Sequence, residues 1–367
     1  IASVILSARN EYPSILYTVH AILEDLSNTL PMGEFEVILV DNLSDDRKER
    51  RGLGGTSDFL KARGMFHNGL LKTFYYPTAS NVGARNFGVS KAKGKYIFFS
   101  DAHMFYAAGT FKRWIQTIDE SGGIVHPAVA WIGSFPPQKG MQYSIKLGEE
   151  FKGTWNNYSV TTEDWFYVPA MGHCALGMLR EQFIKFGGYI ENKCYGGGEL
   201  YCDAKWYMMG SCVVTEPRIN AYHLSSERGY SYQHDNYIEN VFAAAYALGA
   251  DWWLERVYIN YLRKNDKKKL DKFLEEAKKT TKIQREFSEK NAVYSFNDII
   301  RLRPWDELNL KRHGKKNSGM LIYQDTILPM FNEVPQAKEA YENSKYQKQL
   351  AEFIDTHLNE YVYKKKK

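Results

Sequence analysis

Apolar and polar positions alternate in blocks through the first hundred residues of the chain. Four of the apolar runs are too short for buried helices and predict buried strands. These runs cover residues 2–8, 35–42, 71–77 and 96–100. Stretches with apolar residues at helical spacing separate them, over residues 14–30, 58–66 and 81–94. Because strands and helices alternate, the pattern predicts a parallel, doubly wound sheet with right-handed crossovers.

The pattern changes twice in the rest of the chain. From about 110 to 235, helical stretches mix with short strands and with loops rich in Gly, Pro and Trp. Beyond that the chain becomes helical and basic, and residues 264–290 predict a charged surface helix or a pair of helices. We therefore expect an α/β domain over residues 1–235 and a helical, lysine-rich region over residues 236–367.

Length, charge and cysteine content narrow the class of protein. With 367 residues and a net charge of +5, the chain can bury a large core and carries a mild positive bias. No run approaches the roughly 18 apolar residues of a membrane span. No signal peptide is visible, so we expect a cytoplasmic protein, or one in the host cytoplasm if the chain is viral. The four cysteines form no C-x-x-C pair, which disfavours a structural zinc site.

Two of the predicted strands end in an acid, at Asp41 and at Asp101. In open α/β sheets, ligands bind in the crevice outside the carboxyl ends of the strands. His103 follows Asp101 by two positions, so both side chains face one side if the chain stays extended. One oxygen and one nitrogen ligand aimed at one point suit a divalent metal. An isolated D-x-H is also compatible with an acid that caps a turn beside a packed histidine.

Six segments, in order, resemble the motifs of GT-A fold nucleotide-sugar glycosyltransferases. They are VILSARNE, VILVDNLSDD, NVGARNFGVSKAKGKYIFFSDAH, VPAMGHCALGMLREQFIKFGGY, YGGGE and the histidine of AYHLSS. Within that class the chain is most similar to the polypeptide N-acetylgalactosaminyltransferases, and more loosely similar to processive and surface-glycan transferases. The resemblance covers about residues 1–235. It implies a GT-A fold, which is Rossmann-like with a doubly wound mixed sheet, followed by a helical C-terminal extension.

The resemblance also implies a nucleotide-sugar half over about residues 1–105, an acceptor half over about residues 106–235, and a donor site built around a metal ion. Asp101, His103 and His223 would bind Mn²⁺ or Mg²⁺, and the metal would stabilise the diphosphate of a UDP-sugar. The other implied donor contacts are Asp41 at the uracil or ribose, Asn10 and Glu11 along the nucleotide, Arg85 at the diphosphate or on Asp101, and Met171 in the sugar pocket. Arg85 also fits a plain surface salt bridge.

The candidate acceptor-side carboxylates lie in the stretch GGGELYCDA. Glu199 follows three glycines, which allow close approach of the backbone, and we expect it to contact the sugar or the acceptor. Asp203 lies one turn further if the stretch is helical, as a second catalytic carboxylate or as an acid on the helix surface. An inverting enzyme needs a general base here and a retaining enzyme does not, so neither residue fixes the stereochemistry.

The acceptor stays open between three classes. These are a cell-surface glycan or lipid-linked sugar, a hydroxymethylated pyrimidine in DNA, and a Ser or Thr hydroxyl of a protein. Residues 299–316 interleave Arg, Lys and Trp, a surface that could follow the phosphates of DNA. Two alternatives of other classes are a UDP-sugar hydrolase, which would lack an acceptor groove, and a non-catalytic sugar-nucleotide-binding module. Tyr195 stands where the polypeptide N-acetylgalactosaminyltransferases usually have Trp. The acceptor that this family uses therefore cannot be carried over to the present chain.

Overall fold

The computed structural model of the chain describes residues 2–12, 14–45, 56, 69–132, 142–147, 153–155, 164–224 and 234–314. The strands are β1 (Ala2–Ala8), β2 (Phe35–Asp41), β3 (Leu71–Tyr75), β4 (Tyr96–Asp101), β5 (Met104–Tyr106), β6 (Ile124–Ile132), β7 (Ile145–Leu147), β8 (Gly153–Trp155), β9 (Phe166–Tyr167), β10 (Ala175–Leu179) and β11 (Val213–Leu224).

The helices of the sheet domain are α1 (Ser14–Thr29), α2 (Asn81–Lys91), α3 (Thr110–Ser121), α4 (Arg180–Lys185) and α5 (Gly198–Met208). The later helices are α6 (His234–Ala247), α7 (Asp251–Leu262), α8 (Lys267–Thr280), α9 (Lys282–Asn291), α10 (Phe296–Leu302) and α11 (Pro304–His313). The four strands predicted for the first hundred residues all form. The predicted helix over residues 58–66 lies outside the described residues.

The large sheet is parallel in its first part and mixed in its second. Its strand order is β3-β2-β1-β4-β10-β6-β11-β5, with β9 paired to β11. β1, β2, β3 and β4 run parallel, as predicted. β10 then runs antiparallel between β4 and β6, while β11 is parallel to β6. This mixed α/β sheet, followed by C-terminal helices, confirms the predicted fold class.

Helix α2 shows how local sequence sets the parallel half of the sheet. The side chain of Ser80 accepts a hydrogen bond from the Gly83 amide, which satisfies one of the free N–H groups at the start of the helix. Gly88 faces the sheet, where a Cβ atom would lie 2.4 Å from a methyl group of Ile5. The helix therefore packs closely on β1 and β2 and directs its first turns toward the carboxyl ends of the strands.

The C-terminal helices pack against the sheet domain through a shared core. α6 and α10 contact α5, and α11 contacts β9. Trp253, Leu270 and Trp305 are buried in the same hydrophobic cluster as the strands. The lysine-rich stretch after residue 264 forms two helices, α8 and α9, which meet at the buried Thr281. None of the helices that the structure describes has the length and apolar character needed to span a bilayer. The predicted division at residue 235 stays a prediction.

Candidate functional site

Three neighbouring strands bring the two predicted acids to one edge of the sheet. β1 lies between β2 and β4, and its register aligns Ala8 with Asp41 and Ser7 with Asp101. The two acids therefore lie on either side of the end of β1. This is the edge at which open α/β sheets bind their ligands.

His103 and His223 meet because two strands pair at the other end of the sheet. β5 is antiparallel to β11, and the register aligns Met104 with His223. His103 directly precedes Met104, and its Nε2 atom lies 3.1 Å from Nε2 of His223. The Asp101 Oδ2 atom lies 3.7 Å from Nε2 of His223 and 4.0 Å from Nε2 of His103. Two residues that are 120 positions apart in sequence thus face one carboxylate.

The three ligand atoms fit a single divalent cation. They all lie within 4.8 Å of one another, and each side chain is partly exposed at the open edge of the sheet. Two ligands that bind one ion at about 2.1 Å and at right angles are roughly 3.0 Å apart, close to the separation of the two imidazole nitrogens. One carboxylate oxygen and two imidazole nitrogens form a donor set that suits Mn²⁺ among other divalent metals.

Glu11 orients one of these candidate ligands. Its Oε2 atom lies 2.9 Å from Nδ1 of His103. Because a carboxylate only accepts hydrogen bonds, the Nδ1 atom carries the proton and Nε2 presents its lone pair toward Asp101 and His223. The backbone amide of Glu11 donates to Thr56 Oγ1 at 2.7 Å, which fixes the turn after β1. The sequence prediction placed Glu11 along the nucleotide, and that contact stays a prediction.

Arg85 binds the carboxylate of Asp101 from the buried side of the site. Its guanidinium donates to Asp101 Oδ1 at 2.8 Å, and the residue is 2% exposed, so it is not part of a surface salt bridge. Burial alone would raise the pKa of Asp101, but its interactions with His223, Arg85 and His103 lower it to about 2. Asp101 is therefore ionised at neutral pH, as a metal ligand must be.

The residues predicted to contact the nucleoside organise the loop after β2. Asn10 exchanges hydrogen bonds with Asp45, through its side-chain amide N–H group at 2.7 Å and its carbonyl oxygen at 2.8 Å. Asp41 is buried, and its carboxylate accepts the Ser44 amide at 3.0 Å. Both side chains thus shape the loop at the sheet edge. Their contacts with a nucleoside stay predictions.

Glu199 lies in the first turn of α5, after a glycine turn that α6 covers. Gly197 has φ +76°, and a Cβ atom there would lie 2.6 Å from the backbone oxygen of Asn240 in α6. The His173 amide donates to Glu199 Oε1 at 3.3 Å. Burial raises the pKa of Glu199, since its surroundings favour the neutral acid. A carboxylate with a raised pKa at the edge of a site is suited to accept a proton.

Asp203, one turn after Glu199, is fully buried and is not an acid on the helix surface. Its Oδ2 atom accepts the Met171 amide at 2.8 Å, and its Oδ1 atom accepts a hydrogen bond from His173 Nε2 at 2.9 Å. Nε2 of His126 lies 3.6 Å from the same oxygen. Burial would raise the pKa of Asp203, but the two histidines lower it below the usual range. Met171 is also fully buried, so its predicted contact with a sugar stays a prediction.

Sequence reasoning missed His126, His173 and Tyr189. His173 stands within the segment VPAMGHC, next to the predicted Met171, but nothing in that segment indicates that it would meet Asp203. The Tyr189 hydroxyl lies 2.7 Å from Nδ1 of His173. His173 and Tyr189 lie at opposite ends of the segment VPAMGHCALGMLREQFIKFGGY, and His126 lies on β6. The pairing of β10 between β4 and β6 helps to bring these positions together.

Part of the chain is similar to known glycosyltransferases. Residues 64–184 match the family model described as glycosyl transferase family 2. Polypeptide N-acetylgalactosaminyltransferase 15 of Mus musculus is 30% identical over 145 residues, which is 39% of this chain and 20% of that protein. The chain thus matches a fifth of the length of this curated relative.

A solved structure supports the same fold. The crystal structure of GalNAc-T7 with UDP, GalNAc and Mn²⁺ superposes with a TM-score of 0.58 at 20% sequence identity. The superposition covers 75% of this chain and 54% of that one. The solved structure shows that the chain has the GT-A fold, while residues 64–184 resemble glycosyl transferase family 2 and part of the chain is similar to the polypeptide N-acetylgalactosaminyltransferases.

Proposed function

We propose that the protein transfers a sugar from a UDP-sugar to a hydroxyl acceptor and that it depends on a divalent metal, Mn²⁺ or Mg²⁺. The observation that carries the proposal is the convergence of Asp101, His103 and His223 at the carboxyl edge of a GT-A sheet. The solved relative that binds UDP, GalNAc and Mn²⁺ supports the choice of donor and metal.

The donor half of the site would act by electrostatic stabilisation of the leaving group. Asp101, His103 and His223 would hold the cation, which when bound stabilises the negative charge of the leaving diphosphate. Glu11 keeps the lone pair of His103 directed at the site, and Arg85 keeps Asp101 ionised and in place. Asn10 and Asp41 would bind the nucleoside through the loop that they shape.

Glu199 is the proposed catalytic carboxylate on the acceptor side. Its raised pKa suits a group that takes a proton from an attacking hydroxyl. Asp203 was predicted as a second catalytic carboxylate, but its complete burial favours a positioning role through His173 and Met171.

The acceptor is proposed as a hydroxyl-bearing polymer, either a glycan or DNA that contains a hydroxymethylated pyrimidine, with a protein hydroxyl as the alternative. Two observations bear on the DNA alternative. Residues 302–306, within the stretch predicted to follow DNA phosphates, are buried and do not form such a surface. Lys267 pairs with Asp271 at 2.9 Å and Lys269 pairs with Asp235 at 2.7 Å. These ion pairs offset part of the positive charge that DNA phosphates would require. The predicted cytoplasmic location stays a prediction.

A donor and acceptor screen tests the proposal. UDP release is measured from a panel of UDP-sugars with Mn²⁺ or with EDTA, each with no acceptor, a plain glycan, a peptide or hydroxymethyl-containing DNA. We expect metal-dependent UDP release that increases with one acceptor. Release that no acceptor increases would instead identify a hydrolase. Binding without release would identify a non-catalytic module, and no metal-dependent binding of any UDP-sugar would refute the proposal.

Glu199→Gln tests the catalytic assignment within that screen. The amide keeps the size of the side chain but cannot take a proton, so we expect kcat to fall by about a hundredfold or more while the donor KM stays near that of the wild type. Glu181, an exposed glutamate in the first turn of α4, provides the control variant Glu181→Gln. A Glu199→Gln enzyme with the wild-type kcat would exclude Glu199 as the base.

A further inference from the structure

A series of buried polar side chains runs beneath the site from α5 to the end of β4. Asp203 accepts a hydrogen bond from His173 Nε2 at 2.9 Å, and Nδ1 of that ring lies 2.7 Å from the Tyr189 hydroxyl. Tyr189 and Arg85 are near enough for each to shift the pKa of the other, and the Arg85 guanidinium donates to Asp101 at 2.8 Å. We call this series of five residues the buried strut.

Four of the five residues are shielded from water. Asp203, His173, Tyr189 and Arg85 are each at most 3% exposed, and Asp101 alone reaches the open edge of the sheet. Hydrogen bonds are strong in such surroundings, and a buried group that loses its partner is costly. A displacement of Asp101 or Asp203 would therefore strain the hydrogen bonds of the whole series, and these bonds resist it.

The protons in the buried strut have one consistent arrangement. An ionised Asp203 only accepts, so Nε2 of His173 carries a proton and Nδ1 of a neutral ring is an acceptor. Tyr189 then donates its hydroxyl proton to Nδ1, and its oxygen keeps a lone pair for the neighbouring guanidinium of Arg85. Each member needs the orientation of the next one, and Tyr189 is the link in the middle.

The buried strut also reaches the acceptor side. The backbone amide of His173 donates to Glu199 Oε1 at 3.3 Å, and Asp203 accepts the Met171 amide two residues earlier in the same segment. One set of contacts therefore fixes both a candidate metal ligand and the candidate base.

We propose that Tyr189, His173 and Asp203 are positioning residues that hold Asp101 and Glu199 at a fixed separation, so that the donor and acceptor sides of the site form one rigid unit. None of the three contacts a substrate in this assignment. The inference rests on the proposed function, because it gives the two carboxylates their roles as metal ligand and base.

Tyr189→Phe tests the link in the middle with almost no change in volume. The measurements are the Kd for Mn²⁺ without any sugar nucleotide, by electron paramagnetic resonance of free Mn²⁺, and kcat with the donor KM. We expect the Kd to rise about five- to tenfold, as for the loss of an outer partner of a ligand. We expect kcat to fall by about ten- to a hundredfold through misplacement of Glu199, with a smaller change in KM.

The matched control is Tyr207→Phe on α5. Its buried hydroxyl donates to the Val168 carbonyl at 2.7 Å, outside the buried strut, so the variant loses a comparable hydrogen bond. We expect it to keep the Mn²⁺ affinity and kcat of the wild type at a comparable loss of stability. If Tyr189→Phe is as close to the wild type as Tyr207→Phe in both measurements, the proposal is overturned.

A double-mutant cycle separates this inference from the proposed function. The midpoints of urea unfolding are compared for Tyr189→Phe, Asp203→Asn and their combination. If both residues belong to one coupled series, the double variant should lose less stability than the sum of the losses of the two single variants. Tyr96→Phe, which removes a hydroxyl bonded to Asp119 at the opposite end of β4, should be additive with Asp203→Asn.

The outcomes are distinct. A wild-type protein that binds no Mn²⁺ contradicts the proposed function. The double-mutant cycle then tests by itself whether the residues of the buried strut are energetically coupled. Additivity of Tyr189→Phe with Asp203→Asn overturns it. His126, His173 and Asp203 also converge within 4.8 Å. A second tightly bound metal equivalent that His126→Ala removes would assign His173 and Asp203 to a cation, and would overturn the inference as well.

Discussion

At the scale of single residues, the candidate metal site combines ligands that are held in different ways. Asp101 is fixed by Arg85, and His103 is fixed by Glu11. His223 is fixed by the register of the strand on which it lies. The D-x-H pattern predicts the first two ligands from their spacing. The resemblance offered Arg85 as a partner of Asp101, and the structure has that hydrogen bond. The contact of Glu11 with His103 could not be predicted, because it joins residues 92 positions apart.

Loss of a ligand should abolish metal-dependent transfer without unfolding the protein. Asp101→Ala and His223→Ala are each expected to lower kcat by roughly a thousandfold, or about 4 kcal/mol, if the cation stabilises the leaving diphosphate. His223 is partly exposed, so its loss should change the unfolding midpoint little. Asp101→Ala also leaves the buried Arg85 without its carboxylate and should lower the midpoint while the protein stays folded. His20→Ala, at an exposed position of α1, is the control. Wild-type rates in EDTA-treated, Mn²⁺-restored assays would remove the residue from the metal site.

Glu11 should tune the metal affinity and not the affinity for the nucleoside. Glu11→Gln keeps an acceptor oxygen but removes the charge that makes His103 a better ligand, so we expect the Kd for Mn²⁺ to rise about tenfold. Calorimetric titration of Mn²⁺ without nucleotide measures this. Glu34→Gln, at an exposed glutamate before β2, should change nothing. If Glu11→Gln weakens only UDP binding, the side chain acts along the nucleotide, as the sequence first suggested.

At the scale of elements, the glycine turn before α5 lets two helices approach each other. Gly196 and Gly197 have positive φ, and a Cβ atom on either would collide with α6, at Tyr237 or Asn240. The sequence prediction assigned these glycines to close approach within the pocket. The structure shows that the close approach is to the C-terminal helices, which the motif itself could not reveal.

Gly197→Ala separates this packing from backbone strain. We expect the free energy of unfolding to fall by about 2–4 kcal/mol, because the new methyl group adds overpacking to an unfavourable left-handed backbone. Gly249→Ala is the matched control, since Gly249 has φ +68° and open space around it. It should cost only the strain of about 1 kcal/mol. If urea denaturation shows the same loss of stability for both variants, α6 moves aside for the new methyl group at little cost.

At the scale of the whole molecule, the strands and the C-terminal helices that the structure describes share a hydrophobic core, and α8 and α9 present lysines on the surface. The alternation of short apolar runs and helical stretches was enough to predict the parallel half of the sheet. The position of β10 between β4 and β6 could not be predicted, because antiparallel insertion leaves no periodic signal in the sequence. The buried contacts of His173 and Tyr189 depend on that insertion and were missed for the same reason.

The lysines of α8 test the DNA alternative. If DNA is the acceptor, Lys268→Glu, Lys278→Glu and Lys279→Glu combined should flatten the log–log dependence of binding on salt by about 2.7, or about 0.9 per lost phosphate contact. All three positions are exposed. Reversal of Lys93, Lys112 and Lys185, which are exposed on the sheet domain, is the charge-matched control. A salt-independent acceptor KM, or equal effects of both triple variants, would exclude DNA contacts on this helix.

The pairing of β5 with β11 has a consequence for synthesis of the protein. Among the described residues, the strand that follows His103, β5, pairs with β11, whose His223 is translated 120 residues later. At about 5–20 residues per second, a ribosome needs roughly 6–24 seconds to close that gap. During this time the nascent chain has the two acids at the sheet edge but lacks its last histidine. The growing polypeptide therefore cannot bring the three proposed metal ligands together before residue 223 has been translated.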